Sequence, residues 1–325
     1  MNKEKEFINI INKILNKDLK KDFVVGIGDD AAILTSNGNN KMVICSDTIV
    51  EDIHFKLDYF SFEDIGWKSI AINSSDLAAM GAVPNYFTVS IGLPSHINKN
   101  NFEQLIIGMK KCCDSYGGFI VGGDIVKSDK LFISISAVGS LHQKKFLTRD
   151  SAKPGDKVAV TGNLGDSLGG LNLLLDNKKG GRLINSHLKP QPKIIESKKL
   201  IESGVKCCMD ISDGLHNDLL NLCESSKVSI EINIEDLPVS KELKSEFSDR
   251  FIDIAINGGE DYELLFTFDE SKIKLPFNYF VIGSVVNKNE NNVLYKNKGK
   301  IIKPKLNTWS PVSYTHLTLP TKRIV

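Results

Sequence analysis

The chain has 325 residues, a length that suits two domains, each large enough to bury a core of its own. Its 41 Lys and Arg residues nearly balance its 40 Asp and Glu residues, so overall charge favours neither nucleic acid nor an anionic membrane as a partner. No segment approaches the roughly 20 apolar residues that cross a bilayer, and the six cysteines lack metal-finger spacing. We therefore expect a cytoplasmic protein with reduced thiols.

Helix and strand patterns alternate through the first half of the chain. Helical spacing of apolar residues predicts a short amphipathic helix at 7–15. A buried strand, Met42–Asp47, ends on an acid, and Asp64 is the candidate cap of a helix that stops at Gly81 with Asp76 near its end. The next predicted elements are a strand at 86–93, a helix at 101–117, a short strand at 119–124 that ends in glycines and an acid, and a strand at 131–139.

The same alternation continues after a Pro-Gly turn and indicates a second domain. We expect helices near 165–177, 190–203 and 214–226, and strands near 205–209, 228–233, 262–268 and 279–286. This order predicts an α/β fold built of α+β layers. The predicted units are an N-terminal domain (1–150), a C-terminal domain (151–311) and an atypical tail (312–325) that we interpret as non-native.

Acidic residues recur beside glycine or small residues at the ends of apolar strands. The stretches are GIGDD, VICSD, VGGD, CMDISDG and NGGED. Each one alone is also what an ordinary turn uses. Together with the helix carboxylate, they offer six oxygen ligands: Asp30, Asp47, Asp76, Asp124, Asp210 and Asp213. If these side chains converge, their mutual repulsion requires cations, and Mg²⁺ is the natural choice beside substrate phosphates.

Other common site motifs are absent from the sequence. There is no Walker A loop, no dinucleotide fingerprint, no EF-hand loop and no nucleophile elbow. A nucleotide bound here would therefore be held by carboxylates and Mg²⁺ rather than by a glycine-lysine loop.

Seven motifs in order resemble the thiamine-monophosphate kinase family. They are GIGDDAAIL, SDTIVEDIHF, NSSDLAAMGAVP, VGGDIVKS, LTRDSAKPGDKVAVTG, MDISDGLHNDL and NGGEDYELLF, and the match runs from about residue 24 to 310. The resemblance implies ATP-dependent phosphorylation of thiamine monophosphate (TMP) to thiamine diphosphate. It also implies a two-domain fold like that of aminoimidazole ribonucleotide synthetase, in which the N-terminal domains of a homodimer contribute strands to a shared barrel.

The resemblance also implies roles for individual residues. The implied Mg²⁺ ligands are Asp30, Ser46, Asp47, Asp76, Asp124, Asp210 and Asp213. The implied nucleotide contacts are Gly123, Asp124, Arg149 and Ser212, and the implied TMP contacts are His54, Glu260 and Trp309. Two departures stand out: Cys45 replaces a hydroxyl residue, and the family's aromatic ending after Trp309 is missing.

Several alternatives remain open on sequence grounds. Arg149 suits either a phosphate clamp or a salt bridge between domains. His54 suits a substrate contact, a capped turn or the core, and Trp309 suits the core. Asp29 suits a turn or support for the metal ligands. The activity could instead be that of an ATP-dependent synthetase of the same superfamily, which acts through a phosphorylated intermediate, or the chain could be a metal-binding module without turnover.

Overall fold

The computed structural model describes residues 23–26, 28–36, 40–142 and 145–306. Within these ranges the chain forms two β-sheets, each packed against helices, which confirms the predicted mixture of α and β layers. The predicted helix at 7–15, Trp309 and the tail at 312–325 lie outside the described residues. No helix in the described ranges is long and apolar enough to span a membrane.

The first sheet has six strands in the order β1-β2-β3-β6-β4-β5. All neighbours in it are antiparallel except β4 and β5, which are parallel. The strands are β1 Phe23–Val25, β2 Ala32–Ser36, β3 Asn40–Val50, β4 Ala82–Leu93, β5 Phe119–Lys127 and β6 Phe132–Leu141. Two long helices, α1 Phe62–Ala79 and α2 Lys99–Tyr116, complete this half.

Two acids that were predicted to end their strands lie inside them. Asp47 belongs to β3, which continues to Val50, and Asp124 belongs to β5, which continues to Lys127. The prediction of a short strand ending at the glycines was wrong because Gly-Gly-Asp is also the composition of a turn. In the structure both glycines pair with β4, Gly122 with Thr88 and Gly123 with Val89, and the strand continues past them along the edge of the sheet.

Helix α1 is the element that connects the two halves of the molecule. It contacts β3, β4 and β6 of the first sheet, and also reaches one strand and two helices of the second half. Its N-cap is Ser61, which forms a capping box with Asp64. The prediction of Asp64 as the cap was therefore wrong by three residues. Asp76 lies in the last turn, as predicted. The helix is buried on most sides because both domains pack on it.

Two glycines allow α1 and α2 to cross closely. A Cβ at Gly66 would lie 2.0 Å from the Leu105 carbonyl oxygen, and one at Gly108 would lie 1.9 Å from the Glu63 carbonyl oxygen. Any other residue at either position would push the helices apart. The position of α1, and of every site residue on it, therefore depends on these two contacts.

The second sheet has seven strands in the order β13-β12-β9-β11-β7-β10-β8. They are β7 Lys157–Val160, β8 Cys207–Asp210, β9 Ser229–Asn233, β10 Leu264–Phe268, β11 Phe280–Val286, β12 Val293–Asn297 and β13 Lys300–Ile302. The helices of this half are α3 Asp166–Leu175, α4 Arg182–Leu188, α5 Ile194–Ser203, α6 Leu215–Ser226, α7 Lys241–Glu246 and α8 Phe251–Asn257. Antiparallel pairing of Leu264 with Asp210 places the end of β8 beside the turn that precedes β10. Two predicted acidic motifs thus meet at one corner.

Candidate active site

Five of the predicted carboxylates converge where the two domains meet. Asp30 follows β1, Asp47 lies in β3, Asp76 lies in α1, Asp210 ends β8, and Asp213 precedes α6. The charges of four members, Asp30, Asp47, Asp210 and Asp213, each raise the pKa of at least one other member of the group. We call these five residues the carboxylate cluster.

Burial and mutual repulsion disfavour ionisation of the cluster. Burial, with the charges of Asp210 and Asp213 added, raises the pKa of Asp47 to about 6. Burial also raises the pKa of Asp76 well above its ordinary value, and Asp47 and Asp210 raise it further. The pKa of Asp210 is raised by burial although the Ser75 hydroxyl donates to it at 2.6 Å. A cation among these groups would remove that penalty.

Asp30 carries a further sign of a missing partner. Its Oδ2 is the one buried side-chain oxygen or nitrogen without a hydrogen-bond partner in the part of the chain that the structure describes. Its other oxygen accepts from the Arg149 guanidinium, which also binds Asp29 Oδ1 at 3.3 Å. Arg149 thus forms the salt bridge that sequence reasoning held open as its alternative role. The Asp30 backbone N–H donates to Asp29 at 3.0 Å, so Asp29 supports the turn and orients the arginine.

The structure does not bring three other predicted site residues into the cluster. Strand alternation sends the Ser46 hydroxyl to the face opposite Asp47, where it donates to the Ile135 carbonyl at 2.9 Å. Gly123 lies in the same cross-strand row as Asp47 but three strands away, a distance of roughly 14 Å at ordinary strand spacing. Asp124 follows it on the exposed edge strand β5.

Asp218 is a buried carboxylate that the sequence analysis missed. It lies in the first turn of α6 and accepts the backbone N–H groups of Ser212 at 3.1 Å and Asp213 at 3.2 Å. Asp218 therefore holds the turn that contains Ser212, one of the implied nucleotide contacts. The N-cap of α6 is Gly214. The spacing of Asp218, five residues after Asp213 in MDISDGLHNDL, was the available signal.

A pocket of about 230 Å³ adjoins the cluster and contains both predicted TMP contacts that the structure describes. Its apolar lining includes Ile53, Phe55, Tyr59, Leu168 and Leu171, and its polar lining consists of Asp52, His54, Lys56, Ser167, His187, Ser212, Asp213, Asn257 and Glu260. The pocket is therefore amphipathic, with Asp213 linking it to the carboxylates. An organic group with a charged end fits this lining.

His54 and Glu260 have different charge states in this pocket. Burial lowers the pKa of His54, whose Nδ1 accepts the Val50 N–H at 3.1 Å, so the ring is neutral near pH 7. Burial alone would raise the pKa of Glu260, but Lys68 at 2.9 Å outweighs it, and the pKa lies below its ordinary value. The pocket thus presents a neutral imidazole and an ionised carboxylate.

The donor set of the cluster fits Mg²⁺ bound together with phosphate. Among the described residues no three His, Cys, Asp or Glu side chains lie close enough to enclose a metal ion by themselves. Mg²⁺ ordinarily takes one or two carboxylates and completes its octahedron with waters and substrate phosphates. Such shared coordination would give the Asp30 oxygen the partner that it lacks, and would offset the repulsion that raises the pKa of Asp47.

Comparison with known proteins identifies the family. Two family models match, "AIR synthase related protein, N-terminal domain" over residues 28–141 and "AIR synthase related protein, C-terminal domain" over residues 153–296. The thiamine-monophosphate kinase of Bacillus subtilis (strain 168) is 38% identical over 248 residues, which cover 74% of this chain and 76% of the relative. That of Buchnera aphidicola subsp. Schizaphis graminum (strain Sg) is 40% identical over 276 residues, covering 82% and 84%.

A solved structure shows the same relationship in three dimensions. AaThiL complexed with AMPPCP and TMP superposes with a TM-score of 0.82 at 36% identity, covering 93% of this chain and 95% of that chain. The resemblance drawn from the sequence motifs is confirmed. By identity, coverage and fold, the chain belongs to the thiamine-monophosphate kinase family of enzymes.

Proposed function

We propose that this chain transfers the γ-phosphoryl group of ATP directly to TMP, with the assistance of several Mg²⁺ ions, to form thiamine diphosphate. The observation that carries the proposal is the single pocket in which His54 and Glu260 lie beside Asp213 of the carboxylate cluster. A substrate whose organic part fills the apolar lining would direct its phosphate toward the carboxylates. The relatives' name and the neighbour's AMPPCP and TMP ligands support the same assignment.

The reaction requires that the negative charge of the two phosphates be offset, and it does not require a general base. A phosphate monoester has a second pKa of ~6, so near pH 7 it is largely a dianion and already a nucleophile. Two like unit charges ~4 Å apart cost about 4 kcal/mol at an effective dielectric of 20, and both phosphates here carry more. Bound Mg²⁺ would offset that repulsion. The residues then have to hold the two phosphates in line.

We assign the ligand roles as follows. Asp30, Asp47, Asp76, Asp210 and Asp213 hold Mg²⁺, and Arg149 orients Asp30 from its salt bridge. Ser46, Asp124, Gly123 and Ser212 lie outside the carboxylate cluster, and the metal and nucleotide roles that the family resemblance implies for them stay proposals. Trp309 as a TMP contact, the domain boundary near residue 150 and a cytoplasmic location also stay predictions.

We also propose that the protein is a homodimer that pairs through β5. This strand ends the first sheet, and all nine of its residues are exposed, including the apolar side chains of Phe119 (72%), Val121 (60%) and Ile125 (56%). An exposed apolar edge strand is a template for pairing with another chain. A second copy would extend the sheet toward the implied barrel and place Gly123 and Asp124 at the interface.

The dimer is tested by charging the exposed edge. Val121→Lys and Ile125→Lys together are expected to convert the dimer to a monomer, because two lysines would be desolvated at the interface. Molar mass by light scattering after size-exclusion chromatography measures the result. Ile195→Lys, at a 66% exposed apolar position on α5, is the matched control and should leave the dimer intact. A monomeric unmodified chain, or a dimeric double variant, would contradict the proposal.

The activity is tested by substrate-dependent ADP formation with direct detection of thiamine diphosphate. We expect ADP and thiamine diphosphate in equal amounts when ATP, Mg²⁺ and TMP are present, and neither when Mg²⁺ is chelated. ADP formation with an amide or other acceptor, without TMP, would favour the synthetase alternative. Metal binding without any turnover would favour the non-enzymatic module. A phosphorylated protein that passes its phosphate to TMP would rule out direct transfer.

A further inference from the structure

A buried lysine lies directly behind the pocket wall. The Lys68 side chain, on α1, is 1% exposed, and its Nζ is 2.9 Å from Glu260 Oε2. The ammonium also lies 5.2 Å from the centre of the Phe60 ring, a cation–π contact. Lys68 does not line the pocket, whereas Glu260 does. The lysine therefore acts on a bound molecule through the carboxylate that it contacts rather than by touching the molecule itself.

The backbone fixes Glu260 at this position. Its φ is +62°, a left-handed value that non-glycine residues adopt rarely and chiefly where function requires it. Its N–H donates to the Ser212 carbonyl at 2.8 Å, which ties the turn to the MDISDG segment. A Cβ at the preceding Gly259 would lie 2.6 Å from the same carbonyl oxygen, so the turn cannot accept a larger residue there. Glu260 is held between Lys68 and the pocket.

His187 contacts the same carboxylate but does not balance its charge. Its Nδ1 lies 3.5 Å from Glu260 Oε2 and 3.1 Å from the Ser167 hydroxyl. Burial lowers the pKa of His187 to about 3, so the ring is neutral at pH 7. Both Lys68 and His187 approach Oε2 of the carboxylate. Lys68 is thus the neighbour that supplies the positive charge.

We propose that Lys68 is a positioning residue for substrate specificity, which fixes the Glu260 carboxylate as the anionic acceptor for the cationic, amino-bearing heterocycle of the substrate. This inference rests on the proposed function and deepens it. An ionised carboxylate only accepts hydrogen bonds, so it selects cations and N–H donors and repels phosphate. TMP carries a cationic thiazolium ring and an aminopyrimidine, both of which suit Glu260. Its phosphate is thereby directed to the other end of the pocket, toward Asp213.

The test separates positioning from simple stabilisation. The variants are Lys68→Met, Glu260→Gln and the double variant Lys68→Met/Glu260→Gln, with Lys110→Met as a matched control on an exposed ion pair. We expect KM for TMP to rise about tenfold or more in all three pocket variants, since each removes or misplaces a charged acceptor. KM for ATP should stay within about twofold, and kcat should fall far less than KM rises. The control should match the unmodified chain.

The double variant decides between the two roles. It no longer buries an unpaired charge, so its urea midpoint should recover relative to the single variants. Recovery of stability with KM for TMP still raised supports the proposal. Recovery of KM together with stability would overturn it, because the ion pair would then only hold the fold. An unchanged KM in Lys68→Met would overturn it as well.

The proposed function has a separate failure. If the unmodified chain neither binds nor phosphorylates TMP in calorimetry and turnover assays, the function itself is wrong and this inference with it. If the unmodified chain is active and only the variant pattern differs from expectation, the function stands and the role of Lys68 is refuted.

Discussion

Replacing Asp30 with Asn is expected to lower the rate of phosphoryl transfer about a thousandfold, a loss of roughly 4 kcal/mol of transition-state stabilisation. Asp30 is buried in the carboxylate cluster, and its Oδ2 has no hydrogen-bond partner, which suits a metal ligand. An amide keeps the shape but removes the charge. The measurement is kcat for thiamine diphosphate formation at saturating ATP and TMP over a range of Mg²⁺ concentrations, which separates weaker metal affinity from lost turnover.

Asp29→Asn is the matched control for this prediction. Asp29 binds Arg149 and the Asp30 N–H, and it lies outside the cluster, so its loss should cost no more than about tenfold. Both variants change one carboxylate into an amide at neighbouring positions. If Asp29→Asn proves the more damaging change, Asp29 and not Asp30 is the metal ligand, and our assignment of this motif is shifted by one residue.

Without Mg²⁺, the free energy of unfolding is expected to fall as pH rises from 5 to 7, and Mg²⁺ is expected to remove the fall. The folded-state pKa of Asp47 is raised to about 6 from 3.8, so in this range the folded chain binds a proton that the unfolded chain has already released. Stability is then lost as pH rises, by about 1 kcal/mol between pH 5 and 7 from this residue. The raised pKa values of Asp30 and Asp76 act in the same direction.

Urea denaturation at pH 5, 6 and 7, with chelator and with excess Mg²⁺, measures this effect. Asp47→Asn should remove about that part of the pH dependence, whereas Asp114→Asn, at an exposed ion pair on α2, should not. Mg²⁺ should stabilise the unmodified chain more at pH 7 than at pH 5, because it competes with protons for the carboxylates. The contrary result would be measured in chelator. If the stability of the unmodified chain rose between pH 5 and 7 relative to that of Asp47→Asn, the carboxylates would not repel one another as we infer.

Apolar periodicity predicted the described helices of ten residues or more and several strands, and it failed for the shortest helices. The strands at 207–210 and 264–268 and the helix at 215–226 lie close to their predicted bounds because apolar spacing defines them. Helices α4, α7 and α8, of seven, six and seven residues, were missed because two turns or fewer leave too few apolar positions to reveal a period.

The candidate site residues that belong to sequence motifs were identified in advance, whereas those that depend on burial in the folded chain were missed. Asp30, Asp47 and Asp210 were identifiable because acids beside small residues at strand ends recur through the chain. Lys68 and Asp218 lie within helices, where a charged residue ordinarily faces solvent. Both are buried because the two domains pack around them, and the local sequence pattern gives no sign of this packing. Ser46 was assigned by motif, and strand alternation turned its side chain to the other face.

The burial of α1 limits how this sequence can evolve. Of its 18 residues, 13 are buried, and they include Lys68 behind the pocket and Ser75 on Asp210 as well as the glycine at the crossing with α2. An ordinary amphipathic helix has a wet side on which substitutions accumulate at little cost. This helix has almost none, so in a collection of functional variants it should stand out as a nearly invariant block between more variable neighbours. Its constancy would reflect two domains and one active site sharing a single element.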